Sequence, residues 1–437
     1  MLIVAWVRYT GRIDMAKKHI TLLGKAVQKV AALRGGGSAL PGLVVEKLDP
    51  HFLSRTLRSL PMGVVVISGT NGKTTTTKMV VALLESQGLR VFTNRTGSNF
   101  TRGVVAALLQ EIDLDGQLHA DIAVLELDEA HAVQFVASVA PRYTLLLNVM
   151  RDQLDRFGEI DNTAKLLKKI ADSTSHGLVL NSTDPRIRAI AETITGKQIN
   201  FFGLGKEVRP LFPSDDELYH TKLDTPINKN EVELSAISDD TVTFTIDKKP
   251  LPVKLKITGA YNFLNAAAAL AFTRMIIPSA QRDDAKLMAA LQQVTPAFGR
   301  GEVLMVNGQP LELILVKNPA GFRLALQSFL PEKNATMIAI NDNYADGRDM
   351  SWLWDVDFSS LRESGVAVVS GVRAYDMALR LQYDEVEIGD VDTSLEEALA
   401  TLLAKHPEKP KRIFCTYTAM LALRRKLKKL TTVEHIS

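Results

Sequence analysis

The residues with the clearest potential for chemistry form one short segment, Ser68-Gly69-Thr70-Asn71-Gly72-Lys73-Thr74-Thr75. Its glycines let the backbone turn so that successive N–H groups point at phosphate oxygens. Lys73 supplies a positive charge for the terminal phosphates, and a threonine hydroxyl such as that of Thr74 can bind Mg²⁺. We interpret the segment as a phosphate-binding loop, although the fifth residue before Gly72 is Ile67 rather than the glycine of the common Walker spacing. The alternative is a glycine-containing turn whose lysine is solvated.

A carboxylate follows a second apolar run downstream. Glu126 comes directly after Ile122-Ala123-Val124-Leu125, and Asp128 and Glu129 come next. If the run is a strand of a parallel sheet, Glu126 lies at the carboxyl edge, where open α/β sheets bind their ligands. Asp128 and Glu129 have an equally good interpretation as caps of the following helix.

The pattern around these residues indicates the elements that position them. From Met62 onward, short apolar runs at 64–67, 122–125, 144–147 and 177–180 alternate with longer helical stretches. This alternation predicts a mostly parallel α/β sheet with helices on its faces. The run 241–246 alternates apolar and polar residues instead, which is typical of an antiparallel strand.

The same alternation of apolar runs and helical stretches indicates how the chain divides into domains. We expect an N-terminal segment over 1–60, a central domain over 61–295 and a smaller C-terminal Rossmann-like domain over 296–437. Within the central domain, residues 206–257 are predicted to form an antiparallel extension at the domain's edge. The expected fold class is therefore α/β with two parallel sheets.

Bulk composition excludes several function classes. The chain has 437 residues, a net charge of +3 and one cysteine, Cys415. We expect no disulfide framework, no nucleic-acid partner and a cytoplasmic protein without a membrane-spanning segment. Cys415 is expected to be a buried core residue rather than a nucleophile.

The loop Gly-Thr-Asn-Gly-Lys-Thr-Thr-Thr at 69–76 resembles that of the Mur ligases and folylpolyglutamate synthetases. This resemblance implies that the cofactors are ATP and Mg²⁺, with residues 69–75 binding ATP, Lys73 and Glu126 acting in catalysis, and Thr74 and Glu126 binding metal. The segment Gly259-Ala260-Tyr261-Asn262 resembles a family helix start, so Asn262 would contact the nucleotide, with helix capping as the alternative. Gly299-Arg300-Gly301-Glu302 resembles the family element whose arginine, here Arg300, contacts nucleotide phosphate.

Other segments resemble the MurT family in particular. They include 37–42, 94–99, 151–156, 317–322, 341–355 and 416–419. Within 151–156, Gln153 stands where Mur ligases usually carry a histidine, and a glutamine oxygen binds Mg²⁺ more weakly than a carboxylate does. We assign no carbamylated lysine. Many MurT proteins carry a four-cysteine zinc ribbon, but 206–240 contains no cysteine, so we expect no zinc.

The resemblance implies a reaction and a partner. The α-carboxylate of D-isoglutamate in lipid II would be phosphorylated by ATP and amidated with ammonia. The ammonia would come from a GatD-like glutaminase subunit in a heterodimer, whose catalytic residues are completed by an aspartate of this chain. We expect that aspartate to be Asp349, with Asp346 and Asp355 as alternatives.

The lipid-linked substrate would place the chain at the inner face of the membrane. Two other functions remain open at this point. One is a folylpolyglutamate-synthetase-like ligase that joins an amino acid, and the other is a nucleotide-binding scaffold that activates a glutaminase.

Overall fold

A computed structural model describes the chain at residues 20–29, 39–94, 100–150, 160–212, 230–238, 241–257, 259–295, 300–328 and 334–431. The motif residues 95–99 and 151–156, including Gln153, lie outside the described residues. Three helices come first: α1 over 20–29, α2 (Ala39–Leu48) and α3 (Phe52–Arg58). Their apolar residues, among them Val45 and Leu57, pack into the core of the body that follows.

The larger sheet follows these helices and has nine strands in the described part of the chain. They are β1 (Val64–Ser68), β2 (Val91–Thr93), β3 (Ile122–Glu126), β4 (Tyr143–Leu146), β5 (Gly177–Asn181), β6 (Gln198–Leu204), β7 (Val232–Ser238), β8 (Thr241–Ile246) and β9 (Lys249–Lys254). Their order is β2-β3-β1-β4-β5-β6-β7-β8-β9, parallel from β2 to β7 and antiparallel from β7 to β9.

Helices cover both faces of this sheet. They are α4 (Lys73–Ser86), α5 (Thr101–Glu111), α6 (Glu129–Ser138), α7 (Ile160–Ser173), α8 (Pro185–Thr193), α9 (Ala260–Ile276) and α10 (Asp284–Gln293). Central strands such as β1 and β3 are buried on both faces, which explains why they read as continuous apolar runs. Two apolar cores result, one on each face of the sheet.

The order of strands reverses beside β1. Strands β2 and β3 lie on one side of β1, while β4, β5 and β6 lie on the other. Loops that leave neighbouring strands in opposite directions open a crevice at the carboxyl ends of the strands, and ligands of open α/β sheets bind there. The loop after β1 is the predicted phosphate-binding segment.

The second sheet is smaller, with six strands among the described residues. They are β10 (Arg300–Val306), β11 (Gln309–Leu315), β12 (Ala335–Ala339), β13 (Val366–Ser370), β14 (Ile388–Asp392) and β15 (Lys411–Cys415). The order is β10-β11-β15-β12-β13-β14, and only the β10–β11 pair is antiparallel. Helices α11 (Pro319–Ser328), α12 (Ala374–Tyr383), α13 (Leu395–Lys405) and α14 (Tyr417–Leu427) pack on it.

The predicted α/β fold class with two mostly parallel sheets is confirmed. The larger sheet lies within 61–295 and the smaller within 296–437, which is the domain division we propose, with 1–60 as the N-terminal segment. The hairpin strand β10 was not predicted, although Leu304 and Val306 are buried in the core of the second sheet while Val303 and Met305 between them are exposed. Glu302 of β10 forms an ion pair with the buried Arg424 of α14. None of the described helices is long and apolar enough to cross a bilayer.

Candidate functional site

The predicted phosphate-binding segment connects β1 to α4 and turns sharply at two glycines. Gly69 has φ +138° and Gly72 has φ +87°, values that side-chain-bearing residues rarely adopt. Gly72 also caps α4 and lies against Asn265 of α9, because a Cβ added at Gly72 would lie 2.4 Å from Asn265 Oδ1. The free N–H groups of the first turn of α4 therefore face the loop, as an anion-binding site requires.

Asn148, which follows β4, holds the loop from the neighbouring strand. Its Oδ1 accepts from Asn71 N at 2.9 Å, and its Nδ2 donates to Asn71 O at 3.0 Å. Its carbonyl also accepts from Thr70 N at 3.0 Å. These three hydrogen bonds hold the loop backbone against the neighbouring strand.

Lys73 is buried, with 5% of its surface exposed, and its ammonium group folds back over the loop. Nζ donates to Gly69 O at 2.6 Å and lies 3.2 Å from Asp128 Oδ1 and 3.8 Å from Glu129 Oε2. The alternative in which Lys73 is simply solvated is therefore wrong. Asp128 occupies the N-cap position of α6 without a side-chain cap bond, so its carboxylate faces Lys73 and does not cap the helix.

Thr74 and Glu126 bring two oxygens together across the crevice. Thr74 Oγ1 donates to Glu126 Oε1 at 2.8 Å. Asn94, at the end of β2, positions Glu126 by donating to its carbonyl at 2.8 Å and accepting from its N–H at 3.0 Å. A hydroxyl and a carboxylate beside a phosphate loop are the hard oxygen donors that Mg²⁺ takes when a nucleotide supplies its other ligands, so these residues fit that ion.

The C-terminal domain reaches the same loop through the start of α11. Asn318 Nδ2 donates to Asn71 Oδ1 at 3.1 Å, and Asn71 Nδ2 donates to Asn318 Oδ1 at 3.3 Å. Lys317 Nζ donates to Thr70 O at 3.4 Å. Asn318 is fully buried, so the two domains meet at this reciprocal amide pair. The pair brings a second lysine to the phosphate loop.

A cleft that opens to solvent lies beside the loop. Polar and apolar side chains from both domains line it, including Asn148, Asp184, Tyr261 and Ala320. Asp184 accepts from Val149 N at 2.6 Å and also caps α8. Burial raises the pKa of Asp184 to about 6 despite the lowering effect of three backbone N–H donors.

The remaining predicted site residues lie further out. Asn262 lies in the first turn of α9, but the N-cap of that helix is Gly259, so the capping alternative is wrong. Thr75 is buried, with its hydroxyl inside the protein rather than toward the crevice. Arg300 begins β10, and its side chain lies outside the described residues.

The aspartates of the long C-terminal loop have different environments. Asp349 is partly exposed, and its Oδ1 accepts from Ser351 N at 2.9 Å. Asp346 is buried and accepts from Thr418 N at 2.7 Å, and burial raises its pKa. Asp346 therefore ties the loop to α14, whereas Asp349 remains accessible to a partner.

Cys415 ends β15 in the core of the second sheet. It is free and fully buried, and burial raises the pKa of its thiol. A thiol in that environment is not a nucleophile. The prediction that Cys415 is a core residue is confirmed.

Two family models match the chain. The Mur ligase middle domain matches residues 67–273 and the MurT ligase C-terminal domain matches residues 315–420. A protein of Streptococcus pneumoniae (strain ATCC BAA-255 / R6), named lipid II isoglutaminyl synthase (glutamine-hydrolyzing) subunit MurT, is 28% identical over 92% of this chain and 95% of its own length. This chain therefore resembles MurT subunits along most of its length. A MurT subunit of Staphylococcus aureus (strain COL) is 27% identical over 85% of this chain and 88% of its own length.

Solved structures agree on the fold. The MurF ligase of Thermotoga maritima in complex with ADP matches with a TM-score of 0.65 at 18% identity, covering 89% of this chain and 84% of that one. A folylpolyglutamate synthase of Mycobacterium tuberculosis, complexed with ADP and AMPPCP, matches with a TM-score of 0.57 at 16% identity, covering 86% and 92%. This chain therefore has the Mur ligase fold.

Four residues of the site had no assigned role from sequence. They are Asn94, Asn148, Asp184 and Lys317, of which Asn94 and Lys317 lie in segments that resemble the MurT family. Asn94 and Asn148 directly follow apolar runs, and a polar residue at that position of a parallel strand reaches the ligand edge. Lys317 also directly follows an apolar run, 313–316, but its contact with Thr70 of the loop depends on how the two domains meet.

Proposed function

We propose that this chain is the ATP-using subunit of a lipid II isoglutaminyl synthase. It phosphorylates the α-carboxylate of D-isoglutamate in lipid II and amidates it to D-isoglutamine with ammonia from a glutaminase subunit. The observation that carries the proposal is the phosphate loop with lysines from both domains, Lys73 and Lys317, beside the Thr74–Glu126 oxygen pair. The substrate's lipid anchor would hold the cytoplasmic chain at the inner face of the membrane.

The first step is phosphoryl transfer. A carboxylate oxygen attacks the γ-phosphorus of ATP, the bond to the β-phosphate oxygen breaks, and ADP leaves as the acyl phosphate forms. Loop N–H groups and Lys73 stabilise the charge that spreads over the transferred group. Mg²⁺, held by Thr74 and Glu126 with the nucleotide, adds further charge neutralisation when bound. Lys73 must leave Asp128 to reach the phosphates.

The second step consumes the acyl phosphate. Ammonia attacks the carbonyl carbon, inorganic phosphate leaves with the bonding electrons, and the amide forms after loss of a proton. Since the single cysteine of the chain is buried, the ammonia must come from another subunit. We propose that Asp349 orients the catalytic histidine of that glutaminase subunit.

Ammonium salts separate this chain's chemistry from that of its partner. The chain with lipid II, ATP, Mg²⁺ and ammonium chloride should release ADP and phosphate and yield a lipid II lighter by about one mass unit, the difference between a hydroxyl and an amino group. Lys73→Ala is expected to remove the reaction, because it takes away the loop's ammonium group. No amidated product from the wild-type chain at any ammonium concentration would refute the proposal.

Two controls address the other functions. A folylpolyglutamate-synthetase-like ligase would require an added amino acid, so product formation with ammonium alone excludes it. If the chain were only a scaffold, its Lys73→Ala variant would stimulate the glutaminase subunit as strongly as the wild-type chain does. The wild-type chain would then hydrolyse no ATP when lipid II is added. The proposal instead predicts ADP release that depends on the acceptor carboxylate.

A further inference from the structure

Helix α1 presents apolar side chains to solvent. Leu22 and Leu23 are 49% and 47% exposed, and Ala26, one turn further along, is also exposed. Residues three and four apart lie on the same side of a helix, so these side chains form one outward stripe, which we name the outer face (Leu22, Leu23, Ala26). A helix that only packed on the body of a soluble protein would place its leucines inward.

Polar side chains of α1 hold this orientation from the opposite side. Lys25 Nζ donates to Leu109 O at 2.8 Å, and Gln28 Nε2 donates to Ala106 O at 3.1 Å, so both side chains reach α5. Gly24 packs so closely that a Cβ added to it would lie 2.8 Å from Leu109 Cδ2. Because Leu109 O belongs to the last turn of α5, Lys25 satisfies an acceptor that a helix end leaves open. The leucines cannot turn inward without breaking these contacts.

The part of the chain around α1 is strongly basic. Residues 1–36 contain seven lysines and arginines and one acidic residue, Asp14, which gives a net charge of +6, whereas the whole chain has +3. The rest of the chain is therefore acidic in balance. Lys29 is exposed at the end of α1, and Lys17 and Lys18 precede the helix in sequence. Basic residues beside exposed apolar ones are typical of segments that bind anionic membrane surfaces.

A membrane fits the outer face better than a protein partner does. Three exposed side chains offer far less than the about 800 Å² per partner that a stable protein interface buries, and lysine is depleted at such interfaces. At a lipid surface, leucines enter the boundary of the acyl chains while ammonium groups meet the headgroups. None of the described helices can span a bilayer, so the contact would be peripheral.

We propose that the outer face of α1, with the basic residues Lys17, Lys18 and Lys29 around it, binds an anionic lipid bilayer. This binding needs no lipid II, so it goes beyond the proposed function. It brings the chain to the surface that holds a lipid-linked substrate. Apolar burial and charge attraction each contribute to it, and a contact of this size is reversible.

Vesicle flotation of the full-length chain measures the contact directly. The vesicles contain phosphatidylglycerol and phosphatidylcholine in equal parts, or phosphatidylcholine alone, and no lipid II. The wild-type chain should float with the anionic vesicles and stay unbound with the neutral ones. Leu22→Gln combined with Leu23→Gln should weaken binding at least about tenfold, because two apolar side chains no longer enter the lipid. Leu379→Gln, at a 48% exposed leucine of the C-terminal domain, is the matched control and should bind like wild type.

A second pair of variants tests the charge. Lys17→Gln combined with Lys18→Gln should weaken binding to anionic vesicles about tenfold at low salt, and less as the salt concentration rises. Lys428→Gln combined with Lys429→Gln removes the same charge from two exposed lysines just after α14 and should leave binding unchanged. The comparison separates α1 from the other basic cluster of the chain.

Four results would overturn the membrane contact. The wild-type chain could fail to float with anionic vesicles, or the leucine variant could bind them as tightly as wild type. The leucine variant could also lower the melting temperature without changing vesicle binding, as expected if residues 1–19 covered the outer face. Finally, it could change only self-association in sedimentation, as expected if a second copy of the chain covered it.

Amidation assays separate this contact from the proposed function. With lipid II in anionic vesicles and ammonium chloride as the nitrogen source, the leucine variant should need a higher vesicle concentration for its half-maximal rate. Its rate on lipid II in detergent micelles should equal that of wild type. A wild-type chain that floats with the vesicles but never amidates lipid II would refute the proposed function and leave the membrane contact standing.

Discussion

At the scale of single residues, the site depends on how neighbouring side chains hold a few oxygens and charges. Glu126 illustrates this, because its carboxylate accepts from Thr74 while its backbone is held on both sides by Asn94. Glu126 is buried, with 6% of its surface exposed. Its carboxylate is the one that Thr74 Oγ1 contacts, at 2.8 Å. A charge fixed in this way is suited to a cation that arrives with a nucleotide.

Glu126→Gln tests this role with little change in shape. A glutamine oxygen still accepts from Thr74, so the melting temperature should stay within a few degrees of wild type. Loss of the negative charge should lower ATP turnover by about 100-fold and raise the Mg²⁺ concentration for half-maximal rate at least about tenfold. The measurement is ADP release against Mg²⁺ concentration with lipid II and ammonium. An unchanged Mg²⁺ dependence would remove Glu126 from the metal site.

The buried carboxyl group of Asp184 should make the stability of the fold depend on pH. Burial raises its pKa to about 6, so the folded chain binds this proton more tightly than the unfolded chain does. The stabilising contribution is complete below the unfolded pKa and is lost as the pH rises through about 6. Relative to Asp184→Asn, the wild-type free energy of unfolding should fall by about 1 kcal/mol between pH 5 and pH 7.5.

Urea unfolding at several pH values measures this difference. Asp115→Asn, at an exposed carboxylate, is the control and should run parallel to wild type. A constant difference between wild type and Asp184→Asn across the range would mean that Asp184 is ionised in the folded chain throughout it.

At the scale of elements, the turn from β1 into α4 positions the phosphate-binding loop. Two glycines with the same φ allow the cost of backbone strain to be distinguished from the cost of a steric contact. Gly72 and Gly88, at the two ends of α4, both have φ +87°, but only Gly72 has a neighbour, Asn265, in the way of a Cβ. Gly88→Ala should cost about 1 kcal/mol of stability and leave ATP binding unchanged.

Gly72→Ala should carry the same backbone cost and also weaken ATP binding at least about tenfold, because Asn265 and the first turn of α4 must move apart. Adding Asn265→Ala to Gly72→Ala should restore part of the affinity, as measured by calorimetry with a slowly hydrolysed ATP analogue. Equal ATP affinities for Gly72→Ala and Gly88→Ala would show that the contact with Asn265 does not matter.

Much of this element and its sheet could be predicted from sequence. Buried parallel strands such as β1 and β3 are continuous apolar runs, and the Gly-Lys-Thr turn between strand and helix indicates phosphate binding on its own. Strand β10 was missed because its run Val303–Val306 is uniformly apolar although only Leu304 and Val306 are buried, so the sequence does not show the alternation of a one-sided edge strand. The pairing of Lys73 with Asp128 was missed for another reason, since a carboxylate before a helix gives the same sequence signal whether it caps that helix or faces a lysine.

At the scale of the whole molecule, the two domains meet at the phosphate loop. No sequence pattern predicted this contact between the domains. Asn71 and Asn318 are 247 positions apart and exchange two hydrogen bonds in a buried contact. Asn318 Oδ1 also accepts from Gly321 N at 2.8 Å, so removing Asn71 takes away part of the hydrogen bonding of a buried amide, at a cost of about 1–3 kcal/mol. The contact thus makes the position of the C-terminal domain depend on the conformation of the loop that binds ATP.

A double-mutant cycle measures that dependence. Asn318→Ala should lower ATP turnover about 10-fold or more, because Lys317 is no longer held beside the loop, and Asn71→Ala should have a similar effect. The double variant should be little worse than either single variant, giving a coupling free energy of about 0.5–3 kcal/mol in both unfolding and kcat/KM.

Lys317→Ala should lower turnover while leaving the unfolding free energy near wild type, since its ammonium group is only partly buried. Additive effects of Asn71→Ala and Asn318→Ala would mean that the domains act independently, and the loop alone would then have to account for catalysis.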